Sequence, residues 1–326
     1  MGKELKWAVL GTGVIANQMA QALENMGHKL YAVGNRTYEK GVAFAEKYGV
    51  EKVYDDFHEM FTDPEVDIIY ITTPHNTHIE FLRSALSNGK HVLCEKSITL
   101  NTEELEEAIA LAKENGVILA EAMTIWHMPL YQKLWEIVAS GELGEVQIIQ
   151  ANFGSFKEYD MTNRFFNRNL AGGAMLDIGV YALSLARSFM KSCPDQILSQ
   201  HKLAPTGVDE QAGILLMNEE QQMATVTLSL HSKQPKRVVI SLEKAYIQIT
   251  EYPRADEAII VDAETGETTV IQEGKTENAL QYEMMDMEEA ILTGDVRKMK
   301  LDLTTDVMKM MTKMRRDWNV VYPEEM

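Results

Sequence analysis

A short apolar run, Trp7-Ala8-Val9-Leu10, leads directly into Gly11-Thr12-Gly13-Val14-Ile15-Ala16, and no other stretch restricts the fold as tightly. The spacing G-x-G-x-x-A makes sense between a strand and a helix. Its first small residue permits a tight turn, its second lets the backbone approach a pyrophosphate, and its third lets the helix pack closely on the strand. The segment Val14–Met26 has helical periodicity, so the N–H groups at its start can receive phosphate. An incidental glycine turn is the plain alternative, and it weakens because the strand-then-helix rhythm recurs downstream.

That rhythm runs to about residue 122. Apolar, branched runs at Lys6–Leu10, Leu30–Gly34, Lys52–Tyr54, Asp67–Thr72, His91–Cys94 and Val117–Ala120 read as strands, with helical segments after the first, second, fourth and fifth. DIIYITT and HVLC are continuous apolar runs, as buried parallel strands require. Residues 1–123 are therefore expected to form an α/β Rossmann domain.

Beyond Thr124 the pattern changes. A helix near Pro129–Ser140 leads to the strand VQIIQANF, and a helical segment Ala174–Lys191 precedes strands at Ala212–Met217, Met223–Leu230, Arg237–Ser241, Ala245–Thr250, Ala258–Asp262 and Thr268–Gln272. Amphipathic helices near Thr276–Thr293 and Leu303–Trp318 follow. Residues 124–326 are expected to form an α+β second domain with a large, mostly antiparallel open sheet and helices on one face.

Composition limits the partners. The 31 basic and 49 acidic residues give a formal charge of -18, which repels nucleic acid at long range but leaves room for a locally bound anionic cofactor. Two cysteines, Cys94 and Cys193, are too few for a disulfide framework and too widely spaced for a zinc site. With no signal segment and no run of membrane-spanning length, the reading is a cytoplasmic protein with neither membrane nor metal partner. The methionines of MMDMEEAI and VMKMMTKM recur at helical spacing and read as packing residues.

An NAD site usually places a carboxylate about 20 residues past the glycines, to bind the ribose hydroxyls. Here the position carries Gly34-Asn35-Arg36-Thr37. Arg36 and Thr37 suit a 2′-phosphate, which favours NADP with NAD as the alternative, though a solvated turn and a helix cap would also use them. Thr73, Pro74, His75, Asn76 and His78 follow the fourth strand at its C-terminal end, where ligands collect in such sheets. Either histidine reads equally as a site residue or as a cap or packing residue.

Two further motifs are Glu95-Lys96, at the end of the fifth strand, and Gly172-Gly173-Ala174-Met175-Leu176-Asp177-Ile178-Gly179-Val180-Tyr181. Together with GTGVIA and TTPHNTH they resemble the Gfo/Idh/MocA oxidoreductases over nearly the whole chain. The final Tyr resembles the branch of dimeric dihydrodiol dehydrogenase and glucose–fructose oxidoreductase. The resemblance implies an active site between the domains, in which Lys96 and Tyr181, with Asp177 one turn earlier, carry the proton while a nicotinamide carries the hydride. A neighbouring ammonium favours phenolate, although Lys96 also reads as an orienting group for the substrate hydroxyl.

Two departures stand out. Ser97 replaces the family's usual proline, which is expected to leave the backbone that aims Lys96 freer. Thr124-Ile125-Trp126-His127 replaces a Trp-Thr-Arg stretch, so Trp126 and His127 are candidate substrate contacts. Arg164 and Phe165 are further candidates for lining a sugar or diol pocket, with packing as the alternative. The expected activity is NAD(P)-dependent interconversion of a secondary alcohol and ketone on a sugar, polyol or trans-dihydrodiol. The competing reading is an inactive dinucleotide-binding sensor on the same fold. The uncovered face of the second sheet, with the resemblance, points to a homodimer or dimer of dimers.

Overall fold

The computed structural model describes residues 4–326. Its contacts divide the chain into two compact units: residues through Met123 together with Leu280–Leu301, and Thr124–Ala279 together with Asp302–Met326.

The first unit is a six-stranded sheet built from β1 (Trp7–Leu10), β2 (Ala32–Gly34), β3 (Lys52–Tyr54), β4 (Ile68–Ile71), β5 (His91–Glu95) and β6 (Leu119–Ala122). The strands lie in the order β3-β2-β1-β4-β5-β6, and every pairing is parallel. Every residue of β1 and β4 is buried, because helices cover both faces of a parallel sheet. The helices are α1 (Val14–Asn25), α2 (Tyr38–Tyr48), α3 (Phe57–Thr62), α4 (His78–Ser87) and α5 (Thr102–Glu114). The sequence rhythm gave no sign of α3, a six-residue helix; Asp56 caps it by accepting the His58 N–H at 2.8 Å. The strand order reverses between β1 and β4, which opens a crevice at their C-terminal ends.

This unit's core also takes in residues from far along the chain. Leu280, Met284, Met287, Ala290 and Met299 join Trp7, Val9, Leu23, Ile68 and Tyr70 in one buried cluster. Trp7 Nε1 donates to Glu288 Oε1 at 2.7 Å. Each methionine buried here contributes about 1.5–3 kcal/mol of transfer free energy. The uninterrupted division 1–123 and 124–326 therefore misses a segment, since helical methionine spacing shows that a face is buried but not which core receives it.

In the second unit, α6 (Thr124–His127) and α7 (Pro129–Ala139) precede β7 (Val146–Gly154). A π-helical turn, Met175–Gly179, runs into α8 (Val180–Ser188), where one continuous helix from Ala174 to Lys191 was expected. The sheet adds β8 (Gln196–Leu203), β9 (Asp209–Met217), β10 (Met223–Ser229), β11 (Gln234–Leu242), β12 (Ala245–Thr250), β13 (Glu257–Asp262) and β14 (Thr268–Gln272). Its order is β14-β13-β12-β11-β7-β10-β9-β8, antiparallel except for the central pair β7 and β10. Along β10 the residues Ala224, Val226 and Leu228 point inward, and α8 packs on β7 and β10. At the surface Leu198, Tyr246 and Val270 remain exposed. Residues Arg168–Ser188 are long and apolar enough to cross a bilayer, contrary to expectation, but 78% of their most apolar window is buried inside the protein as core.

After β14, α9 (Ala279–Thr293) carries Met284 and Met287 into the first unit's core, and α10 (Leu301–Asp317) buries Met308, Met310, Met311 and Met314. Packing is thus the role of the methionine-rich segments, Met285 excepted, which is 52% exposed.

Candidate active site

At the mouth of β1, Gly11 adopts φ +106°, and a Cβ there would stand 2.8 Å from Thr72 Oγ1. Glycine is required on both counts. Gly13 caps α1 with extended backbone and no side-chain hydrogen bond, and a Cβ on it would meet nothing within 4 Å. The first N–H groups of α1 therefore face an open groove of about 570 Å³ lined by Thr12, Gly13, Val14, Asn17, Gln18 and Gln21. Val14 is 78% exposed, an apolar residue offered to a ligand's flat face, while Ile15 is half-buried and Ala16 fully buried against the sheet. Uncapped N–H groups, a cleared approach and the helix dipole suit a pyrophosphate.

The end of β2 completes this edge. Thr12 Oγ1 donates to Asn35 Oδ1 at 3.2 Å, and Asn35 Nδ2 donates to the Thr37 carbonyl at 2.8 Å. Asn35 thus ties the glycine loop to the strand end, and Arg36 and Thr37 stay exposed. Thr37 precedes α2 without making a side-chain cap, which leaves its hydroxyl available.

Lys96 sits just past β5 in a segment braced from three sides. His75 Nε2 meets the Lys96 carbonyl at 3.0 Å. His78 is fully buried; its Nδ1 faces the carbonyls of Ser97 (3.0 Å) and Ile98 (3.2 Å), and its Nε2 faces that of Thr73 (2.8 Å). The Ile98 N–H donates to buried Glu121 at 3.2 Å, and Tyr70 donates to Glu95. The Lys96–Ser97 peptide bond is cis. Ser97 was expected to free this backbone, but the two histidines and Glu121 hold it instead. His78 is consequently an interior bracket rather than the cofactor contact expected. Burial holds its pKa below the usual imidazole range against the pull of the carbonyls, so the neutral ring donates to one side at a time. Thr73, His75 and Asn76 remain half-buried and Pro74 is exposed at the strand ends.

In the second unit, every residue from Ala171 to Ala186 is buried except Asp177 and Tyr181. A carboxylate and a phenol four residues apart are thus the two side chains that this otherwise enclosed run offers to its surroundings. Arg164 Nη2 lies 3.9 Å from Asp177 Oδ1, and the Tyr181 ring packs 6.0 Å from that of Phe153. Phe165 carries two cations on its ring, Lys157 at 4.2 Å and Arg164 at 4.6 Å.

Trp126 and His127 differ from expectation. Trp126 is fully buried and His127 is 3% exposed, because α6 packs against α7, α8 and the turn Tyr252–Arg254. Thr124 Oγ1 fixes that turn by donating to the Pro253 carbonyl at 2.5 Å. In this structure the two side chains form packed interior rather than an open substrate wall.

Comparison with known proteins identifies the family. The family model described as "Oxidoreductase family, NAD-binding Rossmann fold" matches residues 5–123, and the Gfo/Idh/MocA C-terminal domain matches residues 131–248. The chain is 28% identical to trans-1,2-dihydrobenzene-1,2-diol dehydrogenase of Xenopus tropicalis over 98% of this chain and 99% of that protein. It is 30% identical to the Mus musculus protein of the same name over 78% of each. Among solved structures, an aldose–aldose oxidoreductase from Caulobacter crescentus complexed with glycerol superposes with TM-score 0.87 at 24% identity, covering 97% of this chain and 98% of that one. A 3-ketoreductase from Actinomadura kijaniata in complex with NADP and TDP-benzene gives 0.85 at 20%, covering 96% and 98%. At those identities the two structures speak for the fold. The chain belongs to the Gfo/Idh/MocA family of NAD(P)-dependent oxidoreductases.

Proposed function

We propose that this enzyme transfers hydride between NADP and a secondary alcohol or ketone of a sugar, polyol or trans-dihydrodiol, with Tyr181 moving the proton. One observation carries the reading: Asp177 and Tyr181 alone break the burial of the run Ala171–Ala186. When bound, the nicotinamide supplies the hydride acceptor or donor. The protein must then handle the proton, and Tyr181 is the phenol that helix presents. Lys96 is assigned as the cation that favours its phenolate form, and Asp177 as the carboxylate that orders Arg164 beside it. The paired cations on Phe165 support a role for Arg164 and Phe165 in holding a ring-shaped substrate.

The cofactor preference rests on Arg36 and Thr37, both exposed where a carboxylate would select NAD. In the glycine groove, Gly11, Thr12, Gly13, Val14, Ile15 and Ala16 are assigned to the pyrophosphate and its ribose. Thr73, Pro74, His75, Asn76 and Glu95 are assigned to the nicotinamide half. Steady-state rates over a panel of aldoses, polyols and dihydrodiols, with each dinucleotide, test the whole reading. NADP-linked turnover of at least one class is expected. Tight NADP binding with no turnover across the panel would favour the sensor instead.

We also propose a homodimer or dimer of dimers formed through the open face of the second sheet, where Tyr246 and Val270 are exposed, and placement in the cytoplasm, where Cys94 and Cys193, both outside any disulfide, would stay reduced. Light scattering at micromolar concentration tests the assembly, and a monomer would refute it.

A further inference from the structure

The glycine pair that opens the π-helical turn is gripped by residues that no motif singles out. Asp209, the first residue of β9, is fully buried, and its Oδ2 accepts the Met175 N–H at 2.6 Å. Its Oδ1 lies against Gly173 (φ +132°), where a Cβ would come within 2.4 Å of it. Tyr322, also fully buried, donates to the Gly172 carbonyl at 2.7 Å. Behind it, the Arg315 guanidinium stands 4.7 Å from the Tyr322 ring and donates to Glu325 at 2.8 and 2.9 Å. Arg168 Nε donates to the Val321 carbonyl at 2.8 Å. One carboxylate and one phenol, from separate elements, thus fix the backbone at Met175 and at Gly172, just ahead of Asp177.

We propose that Asp209 is a positioning residue for proton transfer: by holding the first N–H of the π-helical turn it sets the direction in which Asp177 and Tyr181 open. The role rests on the assignment of Tyr181 above. A carboxylate suits the place because helix-start N–H groups carry partial positive charge. It is also a costly choice in a fully enclosed position. Burial, opposed by the Met175 N–H and the field of Arg315, pushes Asp209 up to about 7. The other groups near it are accounted for. Tyr322 is held protonated by burial, Glu325 is engaged by Arg315, and Arg168 lies on the tail carbonyl. The adjacent Glu210 pairs with Lys202 at 2.5 Å and accepts from Tyr159 at 2.6 Å. The ionised form accepts the Met175 N–H more strongly, so turnover gains an acid limb as Asp209 takes up its proton near neutrality.

The test compares Asp209→Ala and Asp209→Asn in single-turnover hydride transfer across the neutral pH range. Asp209→Ala is expected to lower kcat by about 10–100-fold with dinucleotide Kd unchanged, the scale of a small misplacement of reacting groups. Asp209→Asn keeps an oxygen for the N–H but cannot ionise. It is expected to recover kcat to within about fivefold of wild type and to lose the acid limb. Wild-type kcat in Asp209→Ala, or an acid limb that persists in Asp209→Asn, overturns the proposal. If melting shows that Asp209→Ala does not fold, Tyr322→Phe removes the other grip on the same turn. A loss of kcat at constant dinucleotide Kd is then expected, and wild-type kcat would overturn it. Tyr181→Phe in the same assay separates the two layers. Its retention of wild-type kcat defeats the assignment beneath, whereas a crippled Tyr181→Phe beside a normal Asp209→Ala defeats the positioning role alone.

Discussion

Replacing His78 by leucine isolates the bracket that holds Lys96. The two side chains have similar volume, so the loss is polar and leaves little cavity. The wild-type ring faces three carbonyls, those of Thr73, Ser97 and Ile98, at 2.8, 3.0 and 3.2 Å. Being neutral, it fully satisfies one side at a time. Leaving one buried carbonyl without a donor costs about 1–3 kcal/mol, and partial loss at the others brings the total to about 2–4 kcal/mol. For a chain of 326 residues, whose unfolding entropy scales with length, that corresponds to a fall in Tm of about 3–6 °C. Scanning calorimetry reads the stability, and stopped-flow hydride transfer reads the consequence for Lys96. A drop of about tenfold in kcat is expected, because the Ser97 and Ile98 carbonyls lose their tie while His75 keeps the Lys96 carbonyl. The pH dependence gives a second check. The folded ring binds its proton less readily than the unfolded chain, so wild-type stability declines as pH falls below about 6.5. That decline should be weaker in the variant. A Tm within about 1 °C of wild type with unchanged kcat would refute the bracket.

Other expectations follow from the same geometry. Tyr181→Phe keeps the ring against Phe153 and removes the proton-transfer group, so kcat should fall by about a hundredfold or more with dinucleotide affinity nearly unchanged; turnover within a few-fold of wild type would return the role to Lys96 or His75. Arg36→Asp should weaken NADPH binding and swing preference toward NADH, which calorimetric titration decides; an unchanged ratio means the 2′-phosphate is read elsewhere. Gly11→Ala places a Cβ at φ +106° and 2.8 Å from Thr72 Oγ1, and should cost about 1–3 kcal/mol of stability together with most of the dinucleotide affinity. Wild-type dinucleotide binding by that variant would show that the turn is not needed.

Much of the first unit could be read before any coordinates, because buried parallel strands leave continuous apolar runs and the glycine spacing admits one backbone path. β8 escaped notice for the opposite reason. QILSQHKL is an edge strand with no buried residue, so nothing in it alternates cleanly. Asp177 and Tyr181 were visible as a motif at helical spacing, yet the π-helical turn beneath them was not, since it depends on a contact with Asp209 more than thirty residues later. Asp209 itself, in TGVDEQ, belongs to none of the motifs. The two histidines of TTPHNTH look equivalent in sequence. Only packing shows that His78 is enclosed while His75 is half-buried.

The return of α9 to the first unit also bears on how the chain is made. During synthesis the six strands of the parallel sheet leave the ribosome within the first 123 residues, but Met284, Met287 and Met299 emerge only after all eight strands of the second unit's sheet. Until then, the apolar surface around Trp7 and Leu23 that they cover stays wet, and the indole N–H lacks Glu288. The nascent dinucleotide-binding unit must therefore wait, incompletely buried, for a segment translated after all the strands of the second sheet, and its final consolidation is coupled to their synthesis.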